Sequence, residues 1–106
     1  MNTLDDTTKK IVKGMIQRNA KLRNKNPKNM SLIDEMTVEA IKRAKDEMLE
    51  GADTKIKNHI LAKIDTSIAF NIPWEELGDT FCGRRQFYIY RSNYMYLIAV
   101  HMGIAS

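Results

Sequence analysis

Two arginines and a glutamine, Arg84-Arg85-Gln86, follow Gly83 and open a run rich in apolar residues that reaches Met102. The planar fork of arginine donates two hydrogen bonds at once to a guanine edge or a phosphate, which lysine cannot match, and glutamine pairs in the same way with adenine. Laid on a helix, Tyr88 and Ser92 fall on the same outward side, with Gln86 and Arg91 at its margin. The set mixes cationic, amide, phenolic and hydroxyl groups, the chemistry that touches phosphates and base edges. Arg84, Arg85, Gln86, Tyr88, Arg91 and Ser92 are therefore the candidate nucleic-acid contacts. At the other end of the chain Lys9, Lys10, Lys13, Arg18, Lys21 and Arg23 form a second cationic set, expected to be a secondary phosphate-facing stripe.

No catalytic constellation accompanies them. The sequence has no activated Ser or Cys, no phosphate-cradling glycine loop and no HExxH. Cys82, His59 and His101 lack the spacing of metal ligands. Neither an enzyme nor a metal or other cofactor is expected. Asp46-Glu47 with Glu50, and Glu75-Glu76, read as solvated helix surface.

The elements that must position the arginines are helical. Thr7 or Thr8 can cap a first helix running to about residues 22–25, with Ile11, Val12, Met15, Ile16, Ala20 and Leu22 on one stripe. Asn24 to Asn29, with Pro27, breaks it. A second helix begins at Ser31 or Thr37 and ends at Gly51. Asp53 caps a third, which carries Ile56, Ile60, Leu61, Ile64 and Ile68 to Phe70. Pro73 suits the first position of a short fourth helix ending near Leu77-Gly78. Gly83 is an acceptable N-cap for the last helix, with Gln86 at the far position of a capping box and Gly103 as its C-terminal cap. Short helix, tight glycine turn and long helix together read as a helix-turn-helix, which sets the start of its second helix in the major groove. Phe87, Tyr90, Tyr94, Leu97, Ile98 and His101 line the inner side of that helix, and Trp74 and Leu77 brace it.

The fold expected is all-α, with four to five helices, a C-terminal helix-turn-helix and a long final helix. One helical domain spans residues 1–106: a basic N-terminal helix and linker over 1–28, two helices over 29–71, and the helix-turn-helix-like unit over 72–106. Net charge is +4, and its distribution is more informative than its size. Residues 1–28 carry eight Lys/Arg against two Asp, residues 29–82 carry six against eleven, and residues 83–106 carry three arginines and no acid. A phosphate-facing surface with an acidic back would give this pattern. No apolar stretch is long enough for a membrane span, and the single cysteine fits a reducing compartment. The opening Met-Asn-Thr-Leu-Asp-Asp lacks the basic-then-apolar pattern of a secretory signal, so a cytoplasmic location is expected.

The run Phe81-Cys-Gly-Arg-Arg-Gln-Phe-Tyr-Ile-Tyr-Arg91, with Tyr-Leu-Ile-Ala and Met-Gly-Ile behind it, resembles the C-terminal end of small prophage proteins of Gram-positive bacteria, among them RinA-type regulators of phage late transcription. Their helix-turn-helix is similar to sigma-factor region 4. Cys82, Arg84, Arg85, Phe87, Tyr88, Arg91 and Gly103 match the family pattern, and the resemblance covers roughly residues 72–104. Gly83 stands where the family has Ser, and Ser92-Asn93 where it has further basic residues. The resemblance implies a phage-type transcriptional regulator that binds duplex DNA through the start of its last helix, with RNA polymerase as a further partner.

Tyr94-Met-Tyr-Leu-Ile-Ala-Val-His-Met102 is apolar nearly all round. It is either the central core helix or a seam for a homodimer through Tyr94, Met95, Leu97, Ile98 and Met102. The alternative to DNA binding is a non-enzymatic helical module for protein interaction or oligomerisation, docking through that same helix.

Overall fold

Helix α1, Asp6–Leu22, starts where the Asp5 carboxylate accepts a hydrogen bond from Thr8 N–H at 2.7 Å. Asp5 thus fills the capping role expected of Thr7 or Thr8. The computed structural model describes residues 4–22 and 31–105. Arg23 and the Asn24–Asn29 break lie outside the described residues.

Helix α2, Leu32–Glu47, opens on a capping box: the Ser31 hydroxyl accepts from Asp34 N–H, and the Asp34 carboxylate accepts from Ser31 N–H. Two otherwise orphaned donors are satisfied at once. Helix α3, Thr54–Phe70, is capped as expected by Asp53, which accepts from Lys55 and Ile56 N–H. It ends on Asn71 in the left-handed region. Helix α4 runs Arg84–His101, and Gly103 takes a positive φ just past its end.

The all-α architecture with four α-helices follows from these residues, and among the described residues there is no strand. The expected helix-turn-helix takes a different form. Pro73 is the extended residue before a three-residue 3-10 turn, Trp74–Glu76, not the first residue of an α-helix. Three local ties explain the early stop. Lys63 Nζ donates to the Leu77 carbonyl at 2.7 Å, using the acceptor that a continuing helix would need. Gly78 then turns the chain at φ 77°. Trp74 Nε1 donates to Thr80 Oγ1 at 2.9 Å, and Thr80 Oγ1 to the Cys82 carbonyl at 2.8 Å, which folds residues 77–83 back over the indole. An extended, pinned connector therefore precedes α4 where a second α-helix was expected.

The core is one cluster drawn from every helix: Val12 and Ile16 of α1, Ile41 and Ala44 of α2, Ile60, Leu61, Ile64 and Ile68 of α3, and Phe87, Tyr94, Met95, Ile98 and Ala99 of α4. Helix α4 is the central member and packs on the other three. Of the two readings of its apolar length, the core reading holds for Tyr94, Met95 and Ile98. All three are buried within the monomer, so they cannot form a dimer seam. Leu97 and Met102 are half-buried against the same core. One polar network crosses this interior: Tyr94 OH donates to Asp65 Oδ1 at 2.7 Å, and Lys45 Nζ lies 2.7 Å from Asp65 Oδ2. It ties α2, α3 and α4 at one register, because a buried carboxylate must keep its partners.

Candidate functional site

The outward face of α4 is organised around one tyrosine. Tyr88 is half-buried against the core, and its hydroxyl accepts from Trp74 N–H at 3.2 Å. One turn before it, Arg84 places its guanidinium carbon 5.5 Å from the centre of the Tyr88 ring; three residues after it, Arg91 does so at 5.7 Å. The negative face of an aromatic ring attracts such cations and limits where their heads can stand. Arg91 is also held from behind, donating to Ser67 Oγ at 3.3 Å, while Ser67 donates to the Ile72 carbonyl. Burial draws the Arg91 pKa below the ordinary guanidinium value, with Tyr88 acting in the opposite sense. A guanidinium remains cationic at neutral pH all the same.

Helix α1 completes the face. Lys9, Lys10 and Lys13 line one side of an open groove of about 390 Å³ whose other side is Tyr88, Arg91, Ser92 and Met95. Asp6 is the acid on its rim. Four cations from helices remote in sequence therefore meet across one depression, with a phenol and a hydroxyl between them. At the start of α4, Arg85 and Gln86 are exposed in the first turn. Arg84 is exposed too but is paired with Glu75 of the 3-10 turn, Nε to Oε1 at 2.8 Å.

The expected stripe on α1 divides accordingly. Lys9, Lys10 and Lys13 reach the groove. Lys21 lies about 12 Å further along the helix and lines a separate shallow depression with Gln17, Ala20, Ala69 and Phe70. Arg18 leaves the phosphate-facing set. Its guanidinium forms a two-pronged pair with Asp34, Nε to Oδ1 at 2.5 Å and Nη2 to Oδ2 at 3.0 Å, and so joins α1 to the capping box of α2. The Arg18 guanidinium, helped by Ser31 and opposed by burial, holds the Asp34 carboxyl well below the usual carboxylate range. Arg18 is a structural tie.

The start of α4 has no side-chain cap, since Gly83 cannot supply one and Gln86 has no partner in a capping box. Two cations consequently stand at the positive end of the helix dipole, with Glu75, Glu76 and Asp79 the nearest acids before them in sequence. That arrangement is locally unfavourable for an isolated chain and favourable toward an anion.

No family model, curated protein or solved structure matches the chain. The site is therefore read from its own chemistry. Among the described residues, no group of three or more His, Cys, Asp or Glu side chains could hold a metal ion. No described helix is long and apolar enough to cross a membrane. Cys82 is half-buried at the turn, packed on the core. His101 sits at the core's edge, with Nε2 3.0 Å from Glu47 Oε2.

Three features of this region carry no signal in the sequence spacing. Glu75, expected as solvated helix surface, is the partner of Arg84; an acid nine residues before an arginine gives no signal until the turn between them is known. Tyr88, expected as an outward contact, is also the ring beside which two guanidiniums stand. Phe81, in the connector, stands at φ 56°, more than half exposed.

Proposed function

We propose that this chain is a phage-type DNA-binding regulator of transcription, gripping duplex DNA through the opening turns of α4 and the groove between α1 and α4. One observation carries the reading. Lys9, Lys10 and Lys13 converge with Arg91 and Ser92 on a single groove, and Arg84 and Arg85 stand exposed at the start of the same helix α4. Cations gathered from separate elements onto one face repel each other unless an anion joins them, and a phosphate backbone is a row of anions. In this reading the groove cations and Ser92 hold phosphates, while Arg85 and Gln86, at the exposed helix start, reach base edges. The likeness of residues 72–104 to prophage regulators points the same way. No chemical step is assigned; the mechanism is positioning and electrostatics in the cytoplasm, with RNA polymerase as the partner of a bound regulator.

A second reading has its own support. Leu32, Ile33 and Met36 stand exposed on the first turns of α2, and clustered apolar surface is what a protein-interaction or oligomerisation module would use. Any homodimer would draw on such a surface and not on Tyr94, Met95 and Ile98. Salt separates the readings. Fluorescence anisotropy of a labelled random-sequence duplex should show binding at about 50 mM salt that falls on the order of a hundredfold by about 200 mM, as several phosphate contacts require. Absence of binding at the lower salt would move the assignment to the interaction module.

A further inference from the structure

Arg18, Arg43 and Arg84 are all exposed, and each is paired with a carboxylate, respectively Asp34, Glu39 and Glu75. Arg91 is the reverse case. Its side chain is half-buried, and among the described residues no carboxylate pairs with it. A guanidinium is rich in N–H donors. One of them, on Nη1, goes to Ser67 Oγ at 3.3 Å, and Tyr88 offers only its ring. The other donors have no protein acceptor among the described residues, and none of their nitrogens is sealed from solvent.

The opposite wall of the groove repeats the pattern. Lys13 is half-buried there, with Lys9 and Lys10 exposed beside it. Among the described residues no ion pair joins any of the three to an acid, and Asp6 on the rim pairs with none of them. Taking a cation partly out of water without a counter-charge costs stability, and cations facing one another repel. An anion in the groove relieves both.

The arrangement narrows the class of that anion. Arg91 presents a planar fork whose place is set by Ser67 behind it and by the Tyr88 ring beside it, and that ring is itself held at its hydroxyl by Trp74 N–H. The ammoniums come from the other wall, on α1. Donors on two walls suit a tetrahedral oxyanion, which has acceptor oxygens on every side, better than a planar carboxylate, whose oxygens lie along one edge. We propose that the α1–α4 groove is a discrete phosphoryl-binding site, anchored on the fork of Arg91 and faced by Lys13, which takes a phosphate group even without duplex. Only the source of that group rests on the nucleic-acid reading above: a backbone phosphate if the chain binds duplex, a free phosphorylated ligand if it does not.

The probe is inorganic phosphate, set against chloride at equal ionic strength, with thermal unfolding of the intact chain as the readout. A ligand that binds only the folded state raises the melting temperature, and wild type should gain about 3 °C or more at roughly tenfold excess over Kd. Phosphate also stabilises proteins generally, by exclusion from their surface, so Arg91→Gln sets the baseline. That variant should lose most of the gain. Arg43→Gln, the same exchange at an exposed arginine outside the groove, should keep it. Equal gains in wild type and Arg91→Gln, or no gain in either, would overturn the site. Should Arg91→Gln fail to fold, Lys13→Gln takes its place: a reduced gain supports the site and a full gain overturns it. Labelled duplex is then added at about 50 mM salt. Its displacement by phosphate at constant ionic strength assigns the group to the DNA backbone. Duplex that binds and is not displaced, or that does not bind at all, gives the site to a free phosphorylated ligand, and the second result alone removes the nucleic-acid reading.

Discussion

Helix α2 begins at Ser31, whose hydroxyl and backbone N–H are both engaged with Asp34, and Glu35 adds a second acid to the first turn. Helix α4 begins at Gly83, which offers no side chain, and its first turn carries the cations Arg84 and Arg85 where the first turn of α2 carries acids two residues further in. The two starts share an extended N-cap backbone, φ −73° and −72°, ψ 165° in both, so geometry does not account for the difference. One start satisfies its own donors and complements its dipole. The other leaves its donors uncapped and loads the positive end with cations, each such placement being worth about 0.3–1 kcal/mol in the wrong direction. On the proposed DNA-binding reading, a helix start that gives up local stability in a protein able to build a capping box elsewhere is a start shaped for an external anion.

The comparison is broken or sharpened by substitution. The largest effect is expected from Arg84→Ala with Arg85→Ala. Affinity for duplex should fall on the order of a hundredfold, each arginine contact being worth about 1–3 kcal/mol, while the melting temperature barely moves, since the Arg84–Glu75 pair is exposed. Equal affinity in anisotropy would leave α4 with no claim to the site. Ser31→Ala should do the reverse, costing about 1 kcal/mol of stability by chemical denaturation with duplex affinity unchanged. A matching loss of affinity would mean that the two starts do not have separate roles.

Acid probes the α2 start through Asp34. Asp34 has a folded pKa below its unfolded value, so its stabilisation is complete above the ordinary carboxylate pKa of about 4. It is lost as pH falls toward the depressed folded value. Wild-type stability should therefore drop more steeply below about pH 4 than that of Asp34→Asn, and superimposable acid-unfolding curves would deny the pair that role. The smallest effect is expected from Gly83→Ser. A Cβ at Gly83 meets nothing within 4 Å, so the new hydroxyl can cap α4 and add a few tenths of a kcal/mol.

Much of this architecture was legible in the residues. Asp53, Gly78, Gly103 and the helical spacing of Ile60, Leu61, Ile64 and Ile68 act locally, and local signals place helices. The apolar run Tyr94–Met102 left two readings open, core or seam, because periodicity reports how much apolar surface there is and not what covers it. The candidate site was half legible. Side-chain type singled out Arg84, Arg85, Gln86, Arg91 and Ser92. Packing decided which of the α1 cations join them: Lys9, Lys10 and Lys13 do, while Arg18 meets Asp34, sixteen residues away, and leaves the set. The 3-10 turn at Trp74 was hidden for the same reason, since Lys63, Thr80 and Tyr88 decide where it stops.

The central claim is that the lysines of α1 and the arginines of α4 form one phosphate-binding surface. Its most direct test is the slope of log affinity for duplex DNA against log salt, in wild type and in Lys9→Gln/Lys10→Gln/Lys13→Gln. If the three lysines hold phosphates, the variant's slope should be shallower by about 2–3, close to 0.9 for each contact removed. Parallel slopes would show that the groove touches no phosphate and would contradict the account.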